Sequence, residues 1–111
     1  MTLNEYQELA RRTQNKDILK SQRRMHALHG LAAEVGEIHS IFQKLYQGHE
    51  YKQEKLIDEM GDVLWFLGEL ADSLDIKLDD VARHNIDKLI ARYPDGFDVD
   101  HSVNRPEYRK G

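Results

Sequence analysis

Cysteine is absent from the chain, which excludes a disulfide framework, a thiolate zinc site and a cysteine nucleophile. Any metal must therefore be held by oxygen or histidine ligands. Proline is scarce: Pro94 and Pro106 are the only two, both close to the C-terminal end, so nearly everything before them is open to helix. No apolar run approaches the ~18 residues that a membrane span needs. The opening MTLNEYQELA also lacks the basic and apolar regions of a signal peptide, so the expectation is a soluble, cytoplasmic protein. A formal net charge of -4 over 111 residues argues against wrapping a nucleic-acid polymer. It leaves a local basic stripe free to meet a small polyphosphate.

This length corresponds to one domain. Folding at this size buries only about 60 to 70% of the unfolded chain's surface, so partner subunits are expected to supply further burial.

Apolar spacing divides the chain into four helices. Thr2 and Glu5 have capping-box spacing, and Leu3, Tyr6 and Leu9 or Ala10 predict a first helix over roughly 3–13, followed by a loop at QNKD. A second helix is expected over about 21–46 on Met25, Leu28, Ala32, Val35, Phe42 and Tyr46, with Gly48 as its stop. A third spans about 53–74 on Leu56, Met60, Val63, Leu67, Leu70 and Leu74, closed at Asp75. A fourth spans about 78–92 on Leu78, Val81, Ala82, Ile86 and Leu89, halted by Pro94-Asp95-Gly96. The remaining DVDHSVNRPEYRKG, residues 98–111, is polar without a period and reads as a mobile or partner-draped tail. The expected fold is all-α, a four-helix bundle.

The acids do not follow the apolar faces. With Glu59 set at zero on the helical wheel, the apolar residues of the third helix fill an arc from roughly 20° to 160°. Asp62 falls about 60° outside that edge, while Asp58 and Asp72 point more nearly to solvent. In GLAAEVGEI the second helix repeats the device: Glu34 sits at the arc's edge and Glu37 lies outside it. A single pair of this kind is ordinarily the beginning of a solvated face. Here two pairs lie at matched height, since Glu37 and Glu59 are each eleven residues from Gly48, and an antiparallel hairpin would bring them together. Four carboxylates at one place repel, each close pair by about 4 kcal/mol at 4 Å and an effective dielectric of 20. Protonation or a hard divalent cation, Mg²⁺ or Mn²⁺, would offset this.

On the fourth helix Asn85, Lys88 and Arg92 form a polar stripe at the edge of an apolar face. It reads either as a partner for nearby carboxylates and solvent, or as a phosphate-binding set. Lys44 is either a helix-dipole partner or a phosphate ligand, and Trp65 either core or a stacking surface for a flat ring. His26 and His29, spaced i,i+3 ahead of Glu34, read as ordinary polar residues or as ligands suited to zinc or iron.

GLAAEVGEI, DEMGDVLWFL and NIDKLIARYPDGF, in this order, resemble the MazG-type nucleoside triphosphate pyrophosphohydrolases of the all-α NTP pyrophosphatase superfamily. The resemblance covers roughly residues 24–97, extends to LNEYQELARRT, and suggests a domain over 1–97. It implies hydrolysis of an NTP or dNTP between the α and β phosphates, Mg²⁺ held by Glu34, Glu37, Glu59 and Asp62, and phosphate contacts from Asn85, Lys88 and Arg92. Glu34 is then the candidate base, His26 a candidate for the lining of the base pocket, and a homodimer or homotetramer the expected assembly. One position departs from the fuller signature, where Ala33 replaces an acid adjacent to Glu34. Two other classes compete. A di-iron bundle wants Glu-x-x-His pairs, which neither Glu34 nor Glu59 provides, and a non-catalytic helical interaction module would retain the fold alone.

Overall fold

Thr2 opens the first helix as its spacing predicts: its Oγ1 accepts from the Glu5 N–H at 3.0 Å, and Glu5 Oε1 accepts from the Thr2 N–H at 3.1 Å. The computed structural model describes residues 1–106 of the chain. Its helices are α1 (Leu3–Ala10), continued by a 3-10 turn (Arg11–Thr13), α2 (Lys20–Leu45), α3 (Gln53–Ser73), α4 (Leu78–Arg92) and α5 (Val99–Asn104). The fold is all-α. Among the described residues there is no strand, only an isolated bridge between Pro94 and Gly96, and no helix is long and apolar enough to cross a membrane.

The stops follow from backbone chemistry. Gly48 takes a φ of 87° after α2, a left-handed conformation that costs glycine nothing sterically, and the His49 N–H returns to the Lys44 carbonyl at 3.0 Å. Asp75 plays the same part after α3 at a φ of 55°, with the Ile76 N–H donating to the Ala71 carbonyl at 2.9 Å. Lys20 Nζ pairs with Asp75 Oδ1 at 2.6 Å.

The chain forms two compact units that divide after Lys77. In the first, α2 and α3 are antiparallel. Arg24 donates to the Ser73 carbonyl, His26 meets Glu69, Gly30 meets the Phe66 ring, and Phe42 stacks on Tyr51. The two helices thus face each other along the polar shoulders of their wheels. The outer part of each apolar arc stays exposed: Leu28, Val35 and Phe42 on α2, Ile57, Met60 and Leu67 on α3.

Asp72 departs from expectation. It is placed toward solvent by the wheel, yet its side chain is 12% exposed because α1 and the 3-10 turn cover it. Gln7 and Arg11 donate to its Oδ1, each at 2.8 Å, and Gln14 donates to Oδ2. Gln7 and Gln14 are themselves buried. Burial alone would raise the Asp72 carboxyl, but the hydrogen bonds from Arg11, Gln14 and Gln7, with the Arg11 charge, outweigh it and hold the pKa below the ordinary value.

The second unit begins with α4, which ends at Arg92 as expected. The polar tail is not featureless: residues Val99–Asn104 form α5. Caps rather than apolar period specify it. Asp98 Oδ1 accepts from the His101 N–H at 3.1 Å, Asn104 donates to Asp100, and Arg105, at a φ of 36°, returns its N–H to the His101 carbonyl. The part of the tail at 107–111 lies outside the described residues.

Candidate metal centre

The α2/α3 register that sets His26 beside Glu69 also sets Glu34 against Glu59 and Asp62. One carboxylate oxygen from each of these three lies within 4.8 Å of the others. Glu59 and Asp62 share a face of α3 because they are three residues apart, and Glu34 reaches them from α2. Glu34 and Glu59 are half-buried and Asp62 is exposed. Glu37 is exposed and does not join the three.

Such crowding must alter ionisation. The Glu34 carboxyl is pushed up to about 7, first by a hydrogen bond shared with Glu59, then by burial and by the charges of Glu59, Asp62 and Glu37. With both carboxyls ionised no donor is available, and Oε2 of Glu34 is buried without a partner. An unsatisfied buried carboxylate oxygen within an all-oxygen cluster fits a hard divalent cation, which supplies the missing positive charge. Tyr6 of α1 borders this group: burial, then the charge of Asp62, raises its phenol pKa.

Toward the N-terminal end of α2 the hairpin continues as an aromatic and polar layer. The Phe66 ring packs on Gly30. Trp65 meets Phe66 edge-on at 5.1 Å and His26 at 6.4 Å, and its Nε1–H donates to Thr13 Oγ1 at 2.8 Å. His26 Nδ1 lies 2.6 Å from Oε1 of Glu69, which is 1% exposed. His26 therefore serves a buried carboxylate, and His29 is exposed.

Toward the Gly48 turn the acids open onto a cavity of about 250 Å³, where Glu37 and Glu59 share the lining with Lys44, His49, Lys52 and Lys55. Sequence reasoning singled out Lys44 and missed the other three. The signal was present, because Lys52 and Lys55 precede Glu59 by seven and four residues and Lys44 follows Glu37 by seven, spacings that keep a residue on one helical face. Glu69 was missed for a related reason: it follows Asp62 by seven residues on the same shoulder. In the second unit Asn85 is exposed on α4, while Lys88 and Arg92 are half-buried. The Arg92 guanidinium lies 5.8 Å from the Tyr93 ring.

Comparison with known proteins points the same way. The profile of the family described as the MazG nucleotide pyrophosphohydrolase domain matches residues 1–97. The chain is also 33% identical, over 81 residues, to the Gene 37 protein of Mycobacterium phage L5, covering 68% of this chain and 71% of that protein. No solved structure matches the chain.

Proposed function

The chain belongs to the MazG nucleotide pyrophosphohydrolase domain family, and we propose on that premise that it hydrolyses an NTP or dNTP between the α and β phosphates. The observation that carries this reading is the convergence of Glu34, Glu59 and Asp62 around the buried, unpartnered Oε2 of Glu34. These three hold the cation, Mg²⁺ or Mn²⁺ in its place, with Glu37 adding negative charge at the edge. Bound there, the ion neutralises triphosphate charge and makes a water molecule a better nucleophile.

The residues of the chain do the rest. Glu34 orients the attacking water and takes one of its protons. The water oxygen bonds to the α-phosphorus, the bond from that phosphorus to the α,β-bridging oxygen breaks, and the bridging oxygen leaves with pyrophosphate. Charge that builds on the leaving pyrophosphate calls for cationic and amide groups, the part for which the sequence offers Asn85, Lys88 and Arg92 of α4. Trp65 and His26 border the nucleoside end. With such a substrate the protein acts in the cytoplasm.

The exposed apolar arc of Leu28, Val35, Phe42, Ile57, Met60 and Leu67 supports association with further copies of the chain. Light scattering after size exclusion is expected to give a homodimer or homotetramer.

The deciding experiment offers a panel of NTPs and dNTPs with Mg²⁺ and measures pyrophosphate and monophosphate together. Equimolar release, abolished in Glu59→Gln, is the expected result. Turnover that survives Glu59→Gln unchanged would remove the site. A second reading, a nucleotide-binding or purely interacting helical module, is favoured by Ala33 standing where the fuller signature has an acid. It predicts no turnover on any member of the panel.

A further inference from the structure

A second cavity, of about 560 Å³, lies at the end of the hairpin away from the Gly48 turn, among α1, the start of α2 and the end of α3. Asp72, on its wall, follows Asp62 by ten residues, about 15 Å along α3, so this space is separate from the acidic centre. Its volume falls in the range of small-molecule sites, about 300 to 1,000 Å³. The lining does not suit a flat or apolar group: among the described residues Ile76 is its one hydrophobic side chain, and no aromatic ring borders it.

The charge is one-sided. In a chain of net charge -4, five cations meet three acids here, and the acids are already engaged. Asp72 accepts from Gln7, Arg11 and Gln14, Asp75 pairs with Lys20, and the charge of Glu8 acts on Arg11 after that of Asp72. Lys16, Arg23 and Lys77 remain, and among the described residues none of them makes an ion pair or side-chain hydrogen bond. Two features set them apart from ordinary surface cations. Lys20 and Arg23 occupy the first turn of α2, which contains no acid, and that end of a helix already carries partial positive charge that disfavours them. The floor is also built in advance. Gln7 and Gln14 are buried, and Arg11 is held by Asp72 at 2.8 Å through one of the five N–H groups that a guanidinium carries.

We propose that this cavity binds a small, multiply charged phosphate, held by Arg11, Lys16, Arg23 and Lys77. Guanidinium and ammonium groups are the usual partners of phosphate oxygens, and an anion here offsets the cations at the start of α2. The site is independent of the reading of the acids. Its cationic partners come from the N-terminal segment and from both ends of the hairpin's open side, so the ligand fastens that segment down. Tyr6, on the same segment, borders the acidic centre.

The test is calorimetric titration of the full chain in a chelator, which leaves the acids without a cation and repulsive to anions. Inorganic phosphate, pyrophosphate and a nucleoside monophosphate are titrated separately at constant ionic strength. The proteins are wild type, Lys16→Gln/Arg23→Gln, Lys77→Gln, and Lys44→Gln/Lys55→Gln as a control at the Gly48 end. Circular dichroism checks that each is folded. Lys77→Gln, at an exposed position between α3 and α4, carries the test if the first double variant is not. The expected result is one site per chain in wild type and control, weakened tenfold or more in Lys16→Gln/Arg23→Gln and severalfold in Lys77→Gln. Tighter binding of the nucleoside monophosphate identifies a nucleotide as the ligand, and tighter binding of phosphate or pyrophosphate an inorganic anion. Saturation should also slow amide hydrogen exchange across residues 3–13 in wild type. Absence of binding by wild type overturns the proposal, as does equal affinity in all four proteins or a loss confined to the control. Binding that leaves exchange across residues 3–13 unchanged overturns the fastening of the segment.

Discussion

The phenyl ring of Phe66 lies directly over Gly30: a Cβ built at position 30 would stand 2.2 Å from the ring's Cε1 and 2.4 Å from its Cδ1. The close approach of α2 and α3 between the carboxylates and the His26–Glu69 pair therefore depends on a missing side chain. Gly30→Ala gains about 0.5 to 1 kcal/mol of helix propensity but forces an overlap that costs about 1 to 3 kcal/mol. A net loss of about 1 kcal/mol is expected by urea denaturation. Phe66→Leu in the same chain should recover part of it, and a double-mutant cycle measures that coupling.

The raised Glu34 carboxyl makes the metal-free protein sensitive to pH near neutrality. Its folded pKa of about 7 exceeds the ordinary 4.5, so between these values the native state binds more protons than the unfolded chain and stability falls as pH rises. Thermal melts in a chelator are expected to show Tm declining from pH 5 to pH 8. Glu34→Gln should flatten that part of the decline, and added Mg²⁺ should raise Tm at pH 8 for wild type but not for the variant.

Asp72 acts in the opposite sense and in a different range. Its folded pKa is depressed below 3.8, so its contribution is fully present above the unfolded value and is lost as pH falls through the folded one. Asp72→Ala leaves the buried Gln7 and Gln14 amides without this acceptor. At about 1 to 3 kcal/mol for each unsatisfied group, a loss of about 3 kcal/mol at pH 7 is expected. Acid titration followed by circular dichroism should show a correspondingly weaker dependence below pH 4.

How legible was this from the chain itself? The four principal helices were, because apolar residues recur at three and four and because Thr2, Gly48, Asp75 and Pro94 punctuate them through local chemistry. The meeting of Glu34 with Glu59 and Asp62 was legible as well, since an antiparallel hairpin about Gly48 equalises their heights. The wheel was silent about what covers each face. It sent Asp72 to solvent, while α1 and the 3-10 turn close over it. It gave α2 and α3 apolar arcs, yet the helices meet along their shoulders, where Gly30 admits Phe66. α5 escaped because capping by Asp98 and Asn104 leaves no hydrophobic period to read.

Glu69 supplies the next expectation. Its carboxylate is buried, with Oε1 2.6 Å from Nδ1 of the more exposed His26 ring. Leaving a buried acceptor without its partner costs about 1 to 3 kcal/mol, whereas replacing both partners with apolar groups can be nearly neutral. His26→Ala is expected to cost about 1 to 3 kcal/mol, and His26→Leu/Glu69→Leu to restore most of the loss, as read from urea midpoints at constant m.

Trp65 is the only tryptophan in the sequence, and its indole N–H is tied to Thr13. The chain thereby carries its own optical probe, placed where the N-terminal segment docks on α3. A red shift in its emission that precedes the loss of helical ellipticity would mark that segment as a separately opening foldon. The same signal, followed after rapid mixing, would time the docking step without any added label.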